Sequence, residues 1–406
     1  MAAHRPADPG AENIVFDPHD PAFVSEGVPF ATLARIREEQ PVLRTPDGAW
    51  YLSRFDDVAA ALTDVDTFRA DLGPITGIAA GIEAIPEEEH YLSEIPEPRH
   101  KQVRRLVTAA LSTARLRRIE PGLRAECARL VDAMLALAVA DLHDGYAMAI
   151  PAYAMSRIMA LDDDAARRFM AWSWDGTLMR RPSTPGVPPG GPDSHAFFAA
   201  YLAGQRALPT PSNDLVALLL DAEIEGARLS DPEIVTQLHF LIQAGVHTTR
   251  SLLAHLFNRL VQDPALWTRL KAERALVPVF IEESLRRDSP VQRTTRRCAR
   301  DAVVRGVPIL AGEWVEMGIG SANHDEAVYD APGAFRLDRP EPRRHLAFGA
   351  GSHVCPGAGL ARLEAQIAVE TLLDRVARME RIEGVAYPPL PGSLGHQPIP
   401  ARLLAG

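Results

Sequence analysis

Residues Phe348–Arg362 read FGAGSHVCPGAGLAR. A single cysteine, Cys355, stands among Gly349, Gly351, Gly357 and Gly359, with Pro356 beside it and the apolar spacing Leu360, Leu363, Ile367 beyond. Proline favours the first position of a helix, so the pattern predicts Cys355 at a helix N-terminus, beside backbone N–H groups that lack partners. Such a position stabilises an anion by ~0.3–1 kcal/mol, and the anion on offer is a thiolate. The glycines permit close backbone approach to something flat and bulky. A lone thiolate presented to a large planar partner points to haem iron with an axial cysteine. The competing reading is a free cysteine buried ahead of a helix, the commoner fate of a single Cys.

The remaining composition narrows the function classes. The chain has 406 residues, of which 47% are hydrophobic and 24% charged, as expected for a globular protein with a sizeable core. A formal net charge of −10 argues against general nucleic-acid binding, since phosphate requires a basic footprint. The N-terminal MAAHRPADPGAENIVFD contains no apolar signal-peptide core. The longest apolar stretch, Leu130–Leu142, is interrupted by Asp132 and Asp141 and is too short to span a bilayer, so no membrane is expected. Cys127, Cys298 and Cys355 form no CxxC pair, which favours a reducing cytoplasm.

Working outward along the chain, residues 1–20 read as an extended lead-in and 21–406 as one domain. Pro46-Asp47-Gly48 between VLRT and AWYLS predicts a hairpin, because Pro presets one turn residue and Gly supplies a positive φ. Ile75, Ile78, Ile82 and Ile85 recur at helical spacing in a stretch poor in helix formers, as in a weak lid. Helical text fills Glu97–Ala140 and about 145–180, and RPSTPGVPPGGP at 181–192 reads as a mobile loop carrying surface arginines. Ser230-Asp231-Pro232-Glu233 is a capping box that opens the longest helix, which Pro264 ends near Gln262. Thirty-odd residues span ~45 Å, enough to cross the core. Pro264–Asp288 is helical again, followed by short strands at Val303–Ile309 and Trp314–Met317. The expected class is mainly α with small β-sheets.

Several separated motifs together resemble the cytochrome P-450 family of haem-thiolate enzymes. The family's cysteine loop, F-x-x-G-x-H/R-x-C-x-G, is matched by Phe348, Gly351, His353, Cys355 and Gly357. Its E-x-x-R is matched by Glu283 and Arg286, an (i, i+3) pair that lies on one helix face. The usual third partner is an Arg at the position of Ala334, so another residue, with Arg336 the nearest choice, must answer Glu283. Ala244-Gly245-Val246-His247-Thr248 matches the family's oxygen-binding stretch, with His247 where an acid is usual. A threonine hydroxyl there can bond the carbonyl of Ala244 and bend the helix locally.

The resemblance implies a cytochrome P-450 fold, with the long helix crossing the core and the Cys loop on the proximal side of haem b, Cys355 being the axial iron ligand. It makes Thr248 a catalytic proton-handling residue; His247, in place of the family's acid, can still relay protons because an imidazole titrates near neutral pH, the alternative being that it merely faces a neighbouring helix. His100, Arg104, Arg296 and His353 would hold the haem propionates, with Arg297 the competitor of Arg296. Ala244 and Gly245 would open the groove for dioxygen, and Phe348, Gly351 and Gly357 would pack about the ring. Glu283 and Arg286 would be structural.

Ile75, Ile78, Leu241, Val291 and Thr294 would wall a site for an apolar small molecule of terpenoid, fatty-acyl or polyketide/peptide type. The expected reaction is oxygen insertion, in secondary metabolism or catabolism, with oxidative coupling or rearrangement the alternative and a haem sensor or carrier the third reading. Electrons would come from a ferredoxin served by an NAD(P)H-dependent reductase. Lys101, Arg105, Arg343, Arg344 and Arg362 form a candidate basic patch for that acidic donor.

Overall fold

The computed structural model describes residues 14–71, 85–184, 186–189, 191–211, 214–224, 226–389 and 397–405. Ile75, Ile78 and Ile82 of the expected lid lie outside the described residues. Among the described residues the first helices are α1 (Ala22–Glu26), α2 (Phe30–Glu39), α3 (Phe55–Thr63), α4 (Arg99–Ala110) and α5 (Thr113–Leu135). Next come α6 (Ala149–Ile158), α7 (Asp163–Asp175), α8 (Asp193–Ala207), α9 (Asp214–Asp221) and α10 (Asp231–Gln262). The last are α11 (Pro264–Ala272), α12 (Val277–Arg287), α13 (Ile319–Ala322) and α14 (Ala358–Arg375).

The strands are short. β1 (Val42–Arg44), β2 (Trp50–Leu52), β3 (Phe68–Arg69), β7 (Thr294–Cys298) and β10 (Trp314–Met317) form one sheet in the order β1-β2-β10-β7-β3. β4 (Ala140–Asp141), β11 (Val376–Arg381) and β12 (Pro400–Ala405) form a second, and β5 (Glu223–Ile224) with β6 (Ala227–Arg228) and β8 (Ala302–Val304) with β9 (Val307–Ile309) are hairpins. The predicted β1–β2 hairpin turns at Gly48, whose φ of +90° suits glycine.

α10 is the spine. Ser230 caps it as predicted: its hydroxyl accepts from Glu233 N at 3.3 Å, and the Glu233 carboxylate accepts from Ser230 N at 2.7 Å. The helix has 32 residues, so it runs ~48 Å. Ile242, Val246, Leu253 and Phe257 are fully buried where it packs against α6, α8, α12 and α14. No described helix is long and apolar enough to cross a membrane.

Four expectations change in detail. The helical block 97–140 is two helices, broken at Ser112, whose ψ of 151° is extended. Ile14 and Phe16 of the expected lead-in are buried with Leu33 and Tyr51, so that part belongs to the core. Strand β7 appears where only site residues were expected: its TTRRC sequence hides a strand because both neighbours, β10 and β3, satisfy its backbone while its arginines look like surface. Arg181 is no surface residue of a free loop. It is buried and makes a bidentate pair with Glu94 at 2.7 and 2.8 Å.

Candidate functional site

The loop before α14 brings Phe348, His353, Cys355 and Gly357 to the wall of a cavity of about 410 Å³. The helix begins later than the proline suggested. Ala358 is its first residue and Gly357 its cap, which leaves Cys355 three residues upstream. The Cys355 sulfur has exposed surface, yet it sits deep in the protein, because the surface it exposes is cavity wall rather than bulk solvent. Burial therefore pushes its thiol above the ordinary value, and the N–H groups of Gly357 and Ala358 with the Arg104 and Arg362 cations only partly oppose this. The helix-start effect expected to favour a thiolate is present but is outweighed by desolvation.

Gly351 departs from its expected role. It does not line the cavity; at φ +69° it passes so close to the end of α3 that a Cβ would come within 2.9 Å of the Leu62 carbonyl oxygen. The close approach that requires glycine is to protein backbone.

From α10, Leu241, Ala244, Gly245, His247 and Thr248 reach the same cavity. Thr248 Oγ1 donates to the Ala244 carbonyl at 2.7 Å, the local bond the sequence predicted. Gly245 packs closely under Met155 of α6, where a Cβ would lie 2.7 Å from Met155 Sδ and the methionine side chain would have to shift. Val291, Thr294 and Arg296 complete this part of the wall. Thr294 and Arg296 are two residues apart and share a strand face, whereas Arg297 points away, its Nε donating to Gly312 O at 3.1 Å. The geometry selects Arg296 over Arg297.

One edge of the cavity concentrates cationic and donor groups with little acid. The rings of His100 and His353 stack at 4.2 Å and 12°. His100 Nδ1 bonds Glu97 Oε1 at 2.8 Å, while His100 Nε2 and His353 Nδ1 are buried without partners. Burial, then the neighbouring His100, Arg296 and Arg104, lowers His353 to about 3. Arg296 is buried, its Nη1 spends itself on Thr294 Oγ1 and the Thr295 carbonyl, and burial lowers it to about 10, which keeps it charged near neutrality. Arg104, on α4, donates to the Val354 carbonyl in the Cys loop. Buried guanidinium and imidazole groups left in this way fit the anionic edge of a haem.

Behind the loop lie two braces on neighbouring positions of α12. Glu283 and Arg286 are both fully buried and pair through two bonds of 2.8 Å. The third partner is Arg339, not the Arg336 side chain. Arg339 Nε lies 3.0 and 3.1 Å from the two Glu283 oxygens, while Arg336 contributes only its backbone N–H at 2.9 Å and turns its guanidinium to Asp330 and Asp338. The Ala334 carbonyl accepts from both Arg286 and Arg339, so this position takes part through its backbone. Arg286 also donates to Asn323 O, and Asn323 Oδ1 accepts from Leu346 N at 2.8 Å, which carries the brace to the Cys loop.

The second brace was not anticipated. Glu282 accepts from Arg362 at 2.6 and 3.0 Å and bonds His345 Nε2 at 3.0 Å, and Arg362 lies over the Phe348 ring at 4.6 Å. Burial raises the Glu282 carboxyl, but His345 and Arg362 prevail and hold it at about 2. Arg362 is thus committed to the loop rather than free for a docking patch. Only its adjacency to Glu283 could have hinted at Glu282.

The comparisons agree with this geometry. A model of the family described as Cytochrome P-450 matches residues 203–379. Putative cytochrome P-450 123 of Mycobacterium tuberculosis is 31% identical over 378 residues, covering 91% of this chain and 92% of that protein. The epothilone C/D epoxidase of Sorangium cellulosum is 31% identical over 381 residues, covering 90% of this chain and 89% of that one. Among solved structures, CYP109E1 from Bacillus megaterium in complex with testosterone has a TM-score of 0.78 at 28% identity, covering 92% of this chain and 99% of that chain. From the lone cavity cysteine to the buried E-x-x-R brace and the shared length of these relatives, the chain belongs to the cytochrome P-450 family, whose members are monooxygenases using haem with an axial cysteine thiolate.

Proposed function

We propose that Cys355 is the axial ligand, that the cavity takes an apolar small molecule, and that the reaction inserts one oxygen atom into it. The observation that supports this is one cavity lined by a lone thiol, by Thr248 and by a buried cationic cluster short of acid. Haem supplies dioxygen activation when bound, and thiolate ligation favours O–O cleavage.

The chain's own residues do the rest. Arg296, His100, His353 and Arg104 would hold the carboxylates of the cofactor, and Phe348 with Leu360 would limit water near Cys355 Sγ. Thr248 Oγ1 holds a proton at the cavity, and His247, one residue before it on the same wall, passes protons toward it. Leu241, Val291 and Phe240 give the substrate an apolar bed.

Electrons reach the protein from a partner; we take it to be a ferredoxin served by an NAD(P)H-dependent reductase, in the cytoplasm, where unpaired cysteines persist. Relatives include an epothilone epoxidase and a steroid-bound structure, which supports a bulky lipophilic substrate such as a polyketide or terpenoid product of secondary metabolism.

A carbon-monoxide difference spectrum of the reduced protein tests the core reading. The wild type gives the red-shifted thiolate band and Cys355→Ser loses it; a band that survives the substitution overturns the assignment. Turnover under labelled dioxygen then places label in the product, and unlabelled product would mean coupling or rearrangement instead.

A further inference from the structure

Away from the Cys loop, the cavity ends in a group of polar atoms that the chemistry above does not use. Gln243 on α10, with Tyr91 and Ser93 from the segment before α4, lines this end together with Arg181 and Met179. Gln243 Nε2 donates to Met179 Sδ at 2.9 Å, which leaves Gln243 Oε1 buried without a partner. Tyr91 Oη and Ser93 Oγ are likewise buried and unpartnered. The Arg181 guanidinium lies over the Tyr91 ring, 3.7 Å from its centroid, and its charge only partly opposes the burial that raises the Tyr91 hydroxyl to about 12. Three orphaned polar atoms in one pocket are costly unless a ligand serves them, by about 1–3 kcal/mol each.

The local charge is balanced. Arg181 is spent on Glu94 through two bonds and on the Glu89 carbonyl at 3.0 Å. Behind Tyr91, the His195 and His239 rings lie 4.3 Å apart, tilted by 51°, and burial holds both imidazoles below their ordinary value and neutral near pH 7. A carboxylate entering here would meet the Gln243 carbonyl oxygen and no uncompensated cation. A hydroxyl or an amide N–H would instead donate to Gln243 Oε1 and pair with either hydroxyl.

We propose that Gln243, Tyr91 and Ser93 form a polar anchor that selects an uncharged, lipophilic substrate carrying a hydroxyl or amide group, and disfavours carboxylates. This rests on the cavity being the substrate site of a haem-thiolate enzyme. Gln243 precedes Thr248 by five residues on α10, so the anchored group sits ~7–8 Å along the helix from Thr248. The anchor thereby fixes which end of the substrate stays away from the reacting end.

Spin-state titration of the haem-loaded protein with dodecane, dodecan-1-ol and dodecanoate tests it. The alcohol binds at least about threefold tighter than either the alkane or the carboxylate. Gln243→Leu and Tyr91→Phe each bring the alcohol-to-alkane ratio toward one, and Glu94→Gln, which frees the Arg181 charge, moves preference toward dodecanoate. An alcohol that binds no better than the alkane, wild-type preference for dodecanoate, or an alcohol ratio unchanged in both anchor variants overturns the proposal. The carbon-monoxide spectrum of the same preparations separates the two readings: an intact thiolate band with no alcohol preference removes the anchor alone, and a missing band in the wild type removes the haem-thiolate assignment beneath it.

Discussion

Cys127 is buried in the core, whereas Cys355 is exposed to the cavity, so their sulfurs face different surroundings. Cys127 is packed in the core, where burial drives its thiol up to about 12 and keeps it inert. Cys355 opens onto the cavity, with two backbone N–H groups and two guanidinium groups nearby to favour the anion once a metal replaces the proton. His247 stands where an acid is usual in the family, and the structure puts it on the cavity wall rather than against a neighbouring helix alone. Replacing His247 by Ala should lower turnover about tenfold or more while haem content and the thiolate band persist; unchanged turnover would remove the relay role. Gly351 supports a different expectation. Its positive φ and the Leu62 carbonyl 2.9 Å from a notional Cβ make Gly351→Ala destabilising by about 2 kcal/mol or more, read as a lower unfolding midpoint.

At the scale of elements, α12 serves the site without touching its chemistry. Its neighbouring acids reach the Cys loop by separate routes, Glu283 through Arg286 and Asn323 to Leu346, and Glu282 directly through Arg362 and His345. Glu283→Ala leaves Arg286 and Arg339 buried without their acid, so it should cost roughly 3–5 kcal/mol and yield protein that fails to retain haem, measured by the haem-to-protein absorbance ratio. Glu282 carries a pH consequence. Its folded value of about 2 lies below the ordinary 4.5, so its stabilisation is complete above pH 4.5 and fades as the pH falls toward 2. Acid titration of the wild type should therefore release stability across that window, and Glu282→Gln should flatten this part of the curve. Strand β7 adds a lesson in alternation, since its even positions Thr294 and Arg296 serve the cavity while Arg297 stacks over Trp314 on the far side.

Across the whole molecule, charge is distributed unevenly despite the net −10. Lys101 and Arg105 are exposed on α4, and Arg343 is exposed with only a 3.5 Å contact to Glu282, whereas Arg344 pairs with Glu341 and Arg362 is held by Glu282. The basic surface left for an acidic electron donor is smaller than the sequence implied. Its contribution remains testable: reduction by the proposed ferredoxin donor should slow as salt rises from low to moderate ionic strength, more so for the wild type than for Arg105→Gln, and salt independence would count against electrostatic docking.

The long helix, the Cys loop, the E-x-x-R pair and the Thr248–Ala244 bond were all legible in the sequence, because each is set by neighbours a few residues away: a capping box, a glycine–proline pattern, an (i, i+3) pair, a hydroxyl one helical turn from a carbonyl. Arg339 in place of Arg336, the Glu282 brace, the true use of Gly351 and the buried Arg181–Glu94 pair were not. Each of these joins residues distant in the chain, and hydrogen-bond partners at that range are selected by packing direction and burial, quantities that spacing alone does not carry. The sequence by itself therefore determined which chemistry the protein hosts, through local motifs around Cys355. Only the tertiary structure decided what shares the cavity with it, because desolvation and contact exist only once α10, β7 and the Tyr91 segment are brought against one another.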